Sequence, residues 1–91
     1  MLVVGAVTLK NVTVVLDEGL AEVRGGASVI DLGEVSELDS SLLAATFAWL
    51  REGRSGGRDL TVANLPKGLE TLAQLYGVQE LLPVSGSSQQ Q

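Results

Sequence analysis

The apolar residues of this chain recur at two different spacings, one typical of strands and one typical of helices. Segments of the two kinds alternate along the sequence. Three short runs rich in β-branched or alternating apolar residues predict strands, at residues 2–9, 27–32 and 59–64. Three longer runs with apolar residues every three or four positions predict helices, at residues 11–24, 40–52 and 66–76. A short final element is predicted over residues 78–84.

Turn-forming residues mark the predicted boundaries. Thr8 or Asn11 can cap the first helix, and Gly25 and Gly26 end it. Asn64 is the expected cap of the third helix, and Gly5 is expected at a bulge in the first strand.

The segments between these elements are polar or rich in glycine. Residues 33–39 are interpreted as a polar connection and residues 53–58 as a flexible loop. The order strand, helix, strand, helix, strand, helix predicts an α/β domain with a largely parallel sheet. Residues 1–84 form the single predicted domain, and the polar tail 85–91 is expected to be disordered.

The composition excludes several classes of function. The 91 residues include no cysteine and no histidine, which argues against disulfides, a zinc centre and a hydrolytic triad. A net charge of −5 argues against nucleic-acid binding. The glycines at 53–57 lack the lysine and hydroxyl residue of a phosphate-binding loop. We therefore expect no enzymatic activity, no metal and no cofactor.

The segment 37–50, ELDSSLLAATFAWL, combines a carboxylate and two hydroxyls with a strongly apolar helix. Asp39 and Ser40 stand where the first turn of that helix needs hydrogen-bond acceptors, so a capping role is expected. A phosphate on Ser40 would also meet the positive end of the helix and could expel a docked partner. The two interpretations are compatible.

Two further groups have simple structural explanations. Asp31, Glu34, Glu37 and Asp39 could suggest a cation site, but their spacing favours an ordinary solvated loop. Phe47 and Trp49 are expected mainly in the core, with one of them open to a partner because they point in different directions.

The run from 27 to 52, ASVIDLGEVSELDSSLLAATFAWLRE, resembles the STAS domain, the family of sulphate transporters and anti-sigma-factor antagonists. The family pattern is a strand that ends in Asp-Leu, followed by Asp-Ser/Thr-x-Gly-Leu at the start of a helix. Residues 60–83 are similar to the subgroup that forms the small cytoplasmic subunit of the Mla phospholipid transporter, especially in TLAQLYGV and the following LLP. The resemblance extends from residue 5 to about residue 83.

This resemblance implies a STAS-like sheet and a regulatory position at Ser40, with a partner interface of Asp39, Ser40, Ser41 and Leu42. It also implies a subunit that binds the transporter ATPase and reaches the inner membrane from the cytoplasm only through its partners. The alternative is an anti-sigma-factor antagonist that a serine kinase switches. Nucleotide binding by the domain itself ranks last.

The chain departs from the family pattern in two places. Leu42 occupies the position of the motif glycine, which argues against a standard STAS kinase. STAS domains usually begin with a strand that precedes the one predicted at residues 2–9, so either the sheet has lost this first edge strand or Met1 is not the natural start of the protein. A homodimer could cover the exposed edge.

Overall fold

The computed structural model describes residues 1–84, so the predicted tail 85–91 lies outside the described residues. Three strands alternate with three helices: β1 Leu2–Val7, α1 Val12–Arg24, β2 Val29–Leu38, α2 Ser40–Ser55, β3 Thr61–Ala63 and α3 Lys67–Leu75. A 3-10 turn follows at Gln79–Leu81.

The three strands form one parallel sheet in the order β1-β2-β3. The central strand β2 pairs with β1 along most of its length and with β3 near its beginning. The register of β1 shifts between Gly5 and Ala6, and Gly5 has a φ of 87°, which confirms the bulge predicted there. The predicted α/β class with a largely parallel sheet is therefore confirmed.

All three helices contribute to a core on one face of the sheet. Side chains alternate along each strand, so Val3 and Val7 are buried whereas Leu2 and Val4 are more than half exposed. The buried face continues through β2 and β3 and meets apolar residues of every helix. The opposite face of the sheet remains open over residues 1–84.

The most buried helix is α2, which lies between α1 and α3. Its indole Trp49 is fully buried and donates a hydrogen bond from Nε1 to the carbonyl oxygen of Leu16 at 3.1 Å. Phe47 is only partly buried but still packs against the core. The apolar character of α2 therefore follows largely from its central position.

Two segments that were predicted as irregular belong to regular elements. Residues 33–38 extend β2 and are not a polar connection, because Val35 and Leu38 pair with β1 and pack against the core. Helix α2 continues to Ser55, where Gly56 and Gly57 end it. The loop interpretation of residues 53–58 is therefore wrong for its first three positions.

The predicted caps are only partly correct. Asn11 precedes α1, but its side chain braces the preceding turn: Oδ1 accepts from the N–H of Thr8, and Nδ2 donates to the carbonyl of Ala6. Asn64 does not cap α3, because Pro66 holds that position and Asn64 has a φ of 56°. The side chain of Asn64 donates to Asp31 on β2 instead, at 3.0 Å.

None of the helices within residues 1–84 combines the length and the apolar character that crossing a membrane requires.

Candidate functional site

Asp39 ties the start of α2 to the connection between β1 and α1. Its Oδ1 accepts hydrogen bonds from the N–H of Ser41, at 2.9 Å, and from the Ser41 hydroxyl. Its Oδ2 accepts from the N–H of Leu9, at 3.0 Å. One carboxylate therefore caps the helix and fixes the loop opposite it.

These donors favour the ionised form of Asp39. The hydroxyl of Ser41 is the largest cause, followed by the backbone N–H groups of Leu9 and Ser41, and together they hold the pKa of Asp39 below its ordinary value of 3.8. Asp39 is therefore an anion at neutral pH, and both of its carboxylate oxygens already accept hydrogen bonds.

Ser40 is the first residue of α2, as predicted, and its side chain is exposed. No hydrogen bond involves its hydroxyl within residues 1–84, because Asp39 supplies the cap. The hydroxyl is accessible from solvent and lies beside the positive end of a helix of 16 residues.

An open groove of about 520 Å³ lies beside Ser40, between α1 and α2. We call it the α1–α2 groove, and it is lined by Leu9, Val12, Leu16, Asp39, Ser40, Ser41, Ala44 and Ala45. Its walls are mainly apolar, and its polar groups are concentrated at the start of α2. Leu9 is 79% exposed and forms a projecting apolar edge.

Leu42 does not belong to this surface. Its side chain is fully buried in the core, so the expectation that it stands exposed in a partner interface is wrong. In an α-helix, neighbouring residues point in directions about 100° apart, which turns Leu42 inward while Ser40 and Ala44 face outward. Three of the four predicted interface residues, Asp39, Ser40 and Ser41, do line the groove.

The acidic residues of β2 do not gather into a cluster within the described residues. Asp31 Oδ1 accepts from the Asn64 side chain and from the N–H of Gly33. These two bonds, with the Asn64 bond the stronger influence, hold the pKa of Asp31 below its ordinary value of 3.8. Nowhere in residues 1–84 do three or more potential ligands of the carboxylate, imidazole or thiol type gather closely enough for a metal.

The apolar half of the site was not predicted from the sequence. Leu9 was placed inside the first predicted strand, and the helical spacing over residues 11–24 did not indicate that Val12 and Leu16, which pack against the core, also line a groove. The available signal was the apolar Leu9 beside Lys10 and Asn11, a polar turn in which a large aliphatic side chain is unusual.

The polar groups of the site cap a helix, and its walls are those of an apolar groove. The carboxylate of Asp39 accepts from three donors, and no hydrogen bond joins it to the neighbouring Ser40 hydroxyl within the described residues. What remains is an apolar groove with an accessible hydroxyl at its rim.

Comparison with known proteins agrees with this architecture. A family model described as "Mlab, STAS domain" matches residues 1–83. No curated protein sequence matches the chain. A solved structure of the anti-sigma factor antagonist SpoIIAA in its unphosphorylated form is similar, with a TM-score of 0.68 and 15% identity. That similarity covers 99% of this chain and 77% of the antagonist, and at this identity it concerns the fold alone.

Proposed function

Because this chain belongs to the MlaB-type family of STAS domains, we propose that it is a non-catalytic interaction subunit of an ABC-type phospholipid transporter. In this role it binds and supports the cytoplasmic ATPase of a transporter that maintains the lipid asymmetry of the outer membrane. The chain acts at the inner face of the inner membrane and is held there by its partners.

The α1–α2 groove is the observation that carries this proposal. An exposed apolar side chain, Leu9, borders a groove whose walls are largely apolar, and such surfaces mark protein-binding sites. Asp39 braces the loop that carries Leu9 against the start of α2, so the groove is formed before a partner arrives. A preformed surface lowers the entropy cost of binding.

The second candidate function is that of an anti-sigma-factor antagonist regulated by phosphorylation of Ser40. The exposed hydroxyl of Ser40 favours it, since a kinase could reach this group without unfolding the helix. Leu42, which replaces the motif glycine, does not obstruct the approach of a kinase to Ser40, because its side chain is buried. A phosphate at Ser40 would add about two negative charges beside the Asp39 carboxylate, at the rim of the groove.

Affinity purification from the source cell identifies the partner. The bait is this chain with Ser40 unchanged. Ala44→Glu places a charge in the groove, and Ala21→Glu places the same charge at an exposed position of α1 outside it. We expect the wild-type chain and Ala21→Glu to retain the transporter ATPase, whereas Ala44→Glu loses it. Thermal melts of all three proteins control for folding.

The same experiment separates the two functions. Recovery of a serine kinase with a sigma-factor regulator, together with phosphate on Ser40 by mass spectrometry, would support the antagonist instead. If Ala44→Glu retained the same ATPase as wild type, the groove would not be its binding site.

A further inference from the structure

A small cleft near the end of α2 carries two charged side chains that have no partner of opposite charge. We call it the Arg54 cleft. It has a volume of about 190 Å³ and is lined by Leu50, Arg54, Asp59, Leu60, Leu81 and Pro83. Arg54 and Asp59 are both exposed, and neither side chain forms a salt bridge or a hydrogen bond within residues 1–84. The cleft therefore offers one cation and one anion to a partner.

The backbone holds the walls of the Arg54 cleft in place. The N–H of Arg58 donates to the carbonyl of Gly53 at 2.9 Å, which brings the chain beside Asp59 back to the last turns of α2. Leu50 and Leu60 also line the cleft, and both are buried in the core. The cleft is therefore formed before a partner arrives, which lowers the entropy cost of binding.

Leu81 projects from the rim of the Arg54 cleft. Its side chain is 65% exposed, whereas the next residue, Leu82, is buried and anchors the end of the 3-10 turn. The N–H of Leu81 donates to the carbonyl of Val78 at 2.9 Å, so the backbone that presents this side chain is ordered. An apolar cavity of about 150 Å³ can hold a molecule of the size of benzene. A cleft of about 190 Å³ can therefore receive one leucine side chain.

We propose that the Arg54 cleft binds the same surface of a second copy of the chain about a twofold axis. In such an interface every contact occurs twice, because the same surface of each copy is used. Arg54 of each copy pairs with Asp59 of the other copy. Leu81 of each copy enters the opposite cleft. One surface thus supplies both charges of the ion pair and both halves of the apolar contact.

The charges of the Arg54 cleft favour a second copy over other occupants. An acidic segment would meet Asp59 and a basic segment would meet Arg54, and like charges placed together oppose association. Residues 85–91, SGSSQQQ, follow this part of the chain but contain no charged side chain and no large apolar side chain. A copy of the same surface supplies a cation, an anion and an exposed leucine together.

This interface is separate from the α1–α2 groove. Ser40 and Arg54 lie near opposite ends of α2, roughly 20 Å apart along the helix axis at a rise of about 1.5 Å per residue. A dimer formed through the Arg54 cleft therefore leaves the groove of each copy open.

Sedimentation equilibrium of the full chain measures the association directly. We expect a monomer–dimer equilibrium that shifts toward the dimer as the concentration rises to about 1 mM. Arg54→Asp alone and Asp59→Arg alone should each weaken the dimer by at least about tenfold, because each places like charges opposite one another twice. Arg51→Asp makes the same charge change at an exposed position of α2 outside the cleft and should dimerise as wild type. Thermal melts of all variants control for folding.

An equimolar mixture of Arg54→Asp and Asp59→Arg tests the twofold pairing itself. In the mixed pair the two introduced side chains face each other with opposite charges, and the unchanged Arg54 and Asp59 form the second contact. We expect this mixture to form a heterodimer about as tight as the wild-type dimer, although neither variant dimerises well alone.

Three results would overturn the proposal. The first is a wild-type chain that stays monomeric up to about 1 mM, and the second is a dimer that both charge variants leave unchanged. The third is a mixture of the two variants that associates no better than its components. None of these readouts involves the α1–α2 groove, so the result is independent of the proposed function.

Discussion

At the scale of single residues, Asp39 alone caps α2, a role that the sequence suggested for both Asp39 and Ser40. Its carboxylate caps α2 and holds the loop of Leu9, which leaves the Ser40 hydroxyl exposed and without a structural bond in residues 1–84. Loss of the Ser40 hydroxyl should therefore cost less than the roughly 1 kcal/mol typical of a capping residue. A side chain that the fold does not need is free to serve a partner or a kinase.

The role of Asp39 predicts a specific pH dependence. Because hydrogen bonds hold its folded-state pKa below 3.8, the ionised group stabilises the fold above that pH. This contribution is lost as the pH falls through the lower folded-state pKa. We expect Asp39→Asn to melt below wild type at pH 7, with the difference in Tm narrowing as the pH falls below about 3.8.

Asp17→Asn is the control for that measurement, because it removes the same charge from an exposed position on α1. Its melting curve should follow that of wild type across the same pH series. A difference between wild type and Asp39→Asn that stayed constant with pH would show that the ionised carboxylate is not the stabilising group.

Two helical glycines predict opposite effects of the same substitution. A Cβ at Gly19 would lie 2.7 Å from Cζ2 of the buried Trp49, whereas a Cβ at Gly68 would lie 3.7 Å from Cδ1 of Leu38. Gly19→Ala should lower the free energy of unfolding by about 1–3 kcal/mol through overpacking, despite the better helix propensity of alanine. Gly68→Ala should raise it by up to about 1 kcal/mol.

Urea unfolding of both variants measures these effects. A stabilising Gly19→Ala would mean that α1 does not approach Trp49 as closely as the structure shows.

At the scale of elements, the connection between α2 and β3 is fixed by one guanidinium. Arg58 donates from Nη1 to the carbonyl of Ala27 and from Nη2 to the carbonyl of Val23. These acceptors lie at and just beyond the end of α1, where helix carbonyls lack intrahelical partners. The glycine-rich composition of residues 53–58 concealed this attachment, because it depends on a contact distant in sequence.

Arg58→Gln tests this attachment. We expect a loss of about 1.5–3 kcal/mol in the free energy of unfolding, since both charge-assisted bonds to partly buried carbonyls disappear. Arg51→Gln removes the same charge from an exposed position of α2 and should change stability by no more than about 0.5 kcal/mol. Equal free energies of unfolding for Arg58→Gln and Arg51→Gln would mean that the hydrogen bonds of Arg58 do not stabilise the fold.

The elements that the sequence predicted well are those whose pattern is local. The helices at 11–24 and 66–76 have clear apolar stripes, and the structure places them within one residue of those bounds. Residues 33–38 were missed as strand because several of their side chains face solvent. Their polar pattern is that of a loop, and only pairing with β1 shows that they form a strand.

In the candidate site, too, the features set by local sequence could be predicted and those set by distant contacts could not. The start of α2 at Ser40 could be predicted, because capping residues mark it in the sequence. The exposure of Leu42 was wrongly predicted, since the motif says nothing about which side of the helix meets the core. Leu9 could not be joined to Ser40 from sequence alone, because the groove forms only when the β1–α1 loop meets α2.

At the scale of the whole molecule, the parallel sheet buries one face under three helices, and the proposed docking groove lies on the surface between two of them. The α1–α2 groove joins an apolar edge at Leu9 to the accessible Ser40 hydroxyl. Membership of the MlaB-type STAS family gives this groove its proposed partner, the ATPase of a phospholipid transporter.

The most direct test of this account is the affinity of the purified chain for that ATPase, measured by calorimetry for two matched variants. Leu9 and Leu75 are 79% and 75% exposed, but only Leu9 lines the groove. We expect Leu9→Asp to weaken binding by at least about tenfold and Leu75→Asp to leave it unchanged, with both proteins melting close to wild type. Unchanged affinity of Leu9→Asp, or an equal loss in both variants, would contradict the assignment of the groove as the docking site.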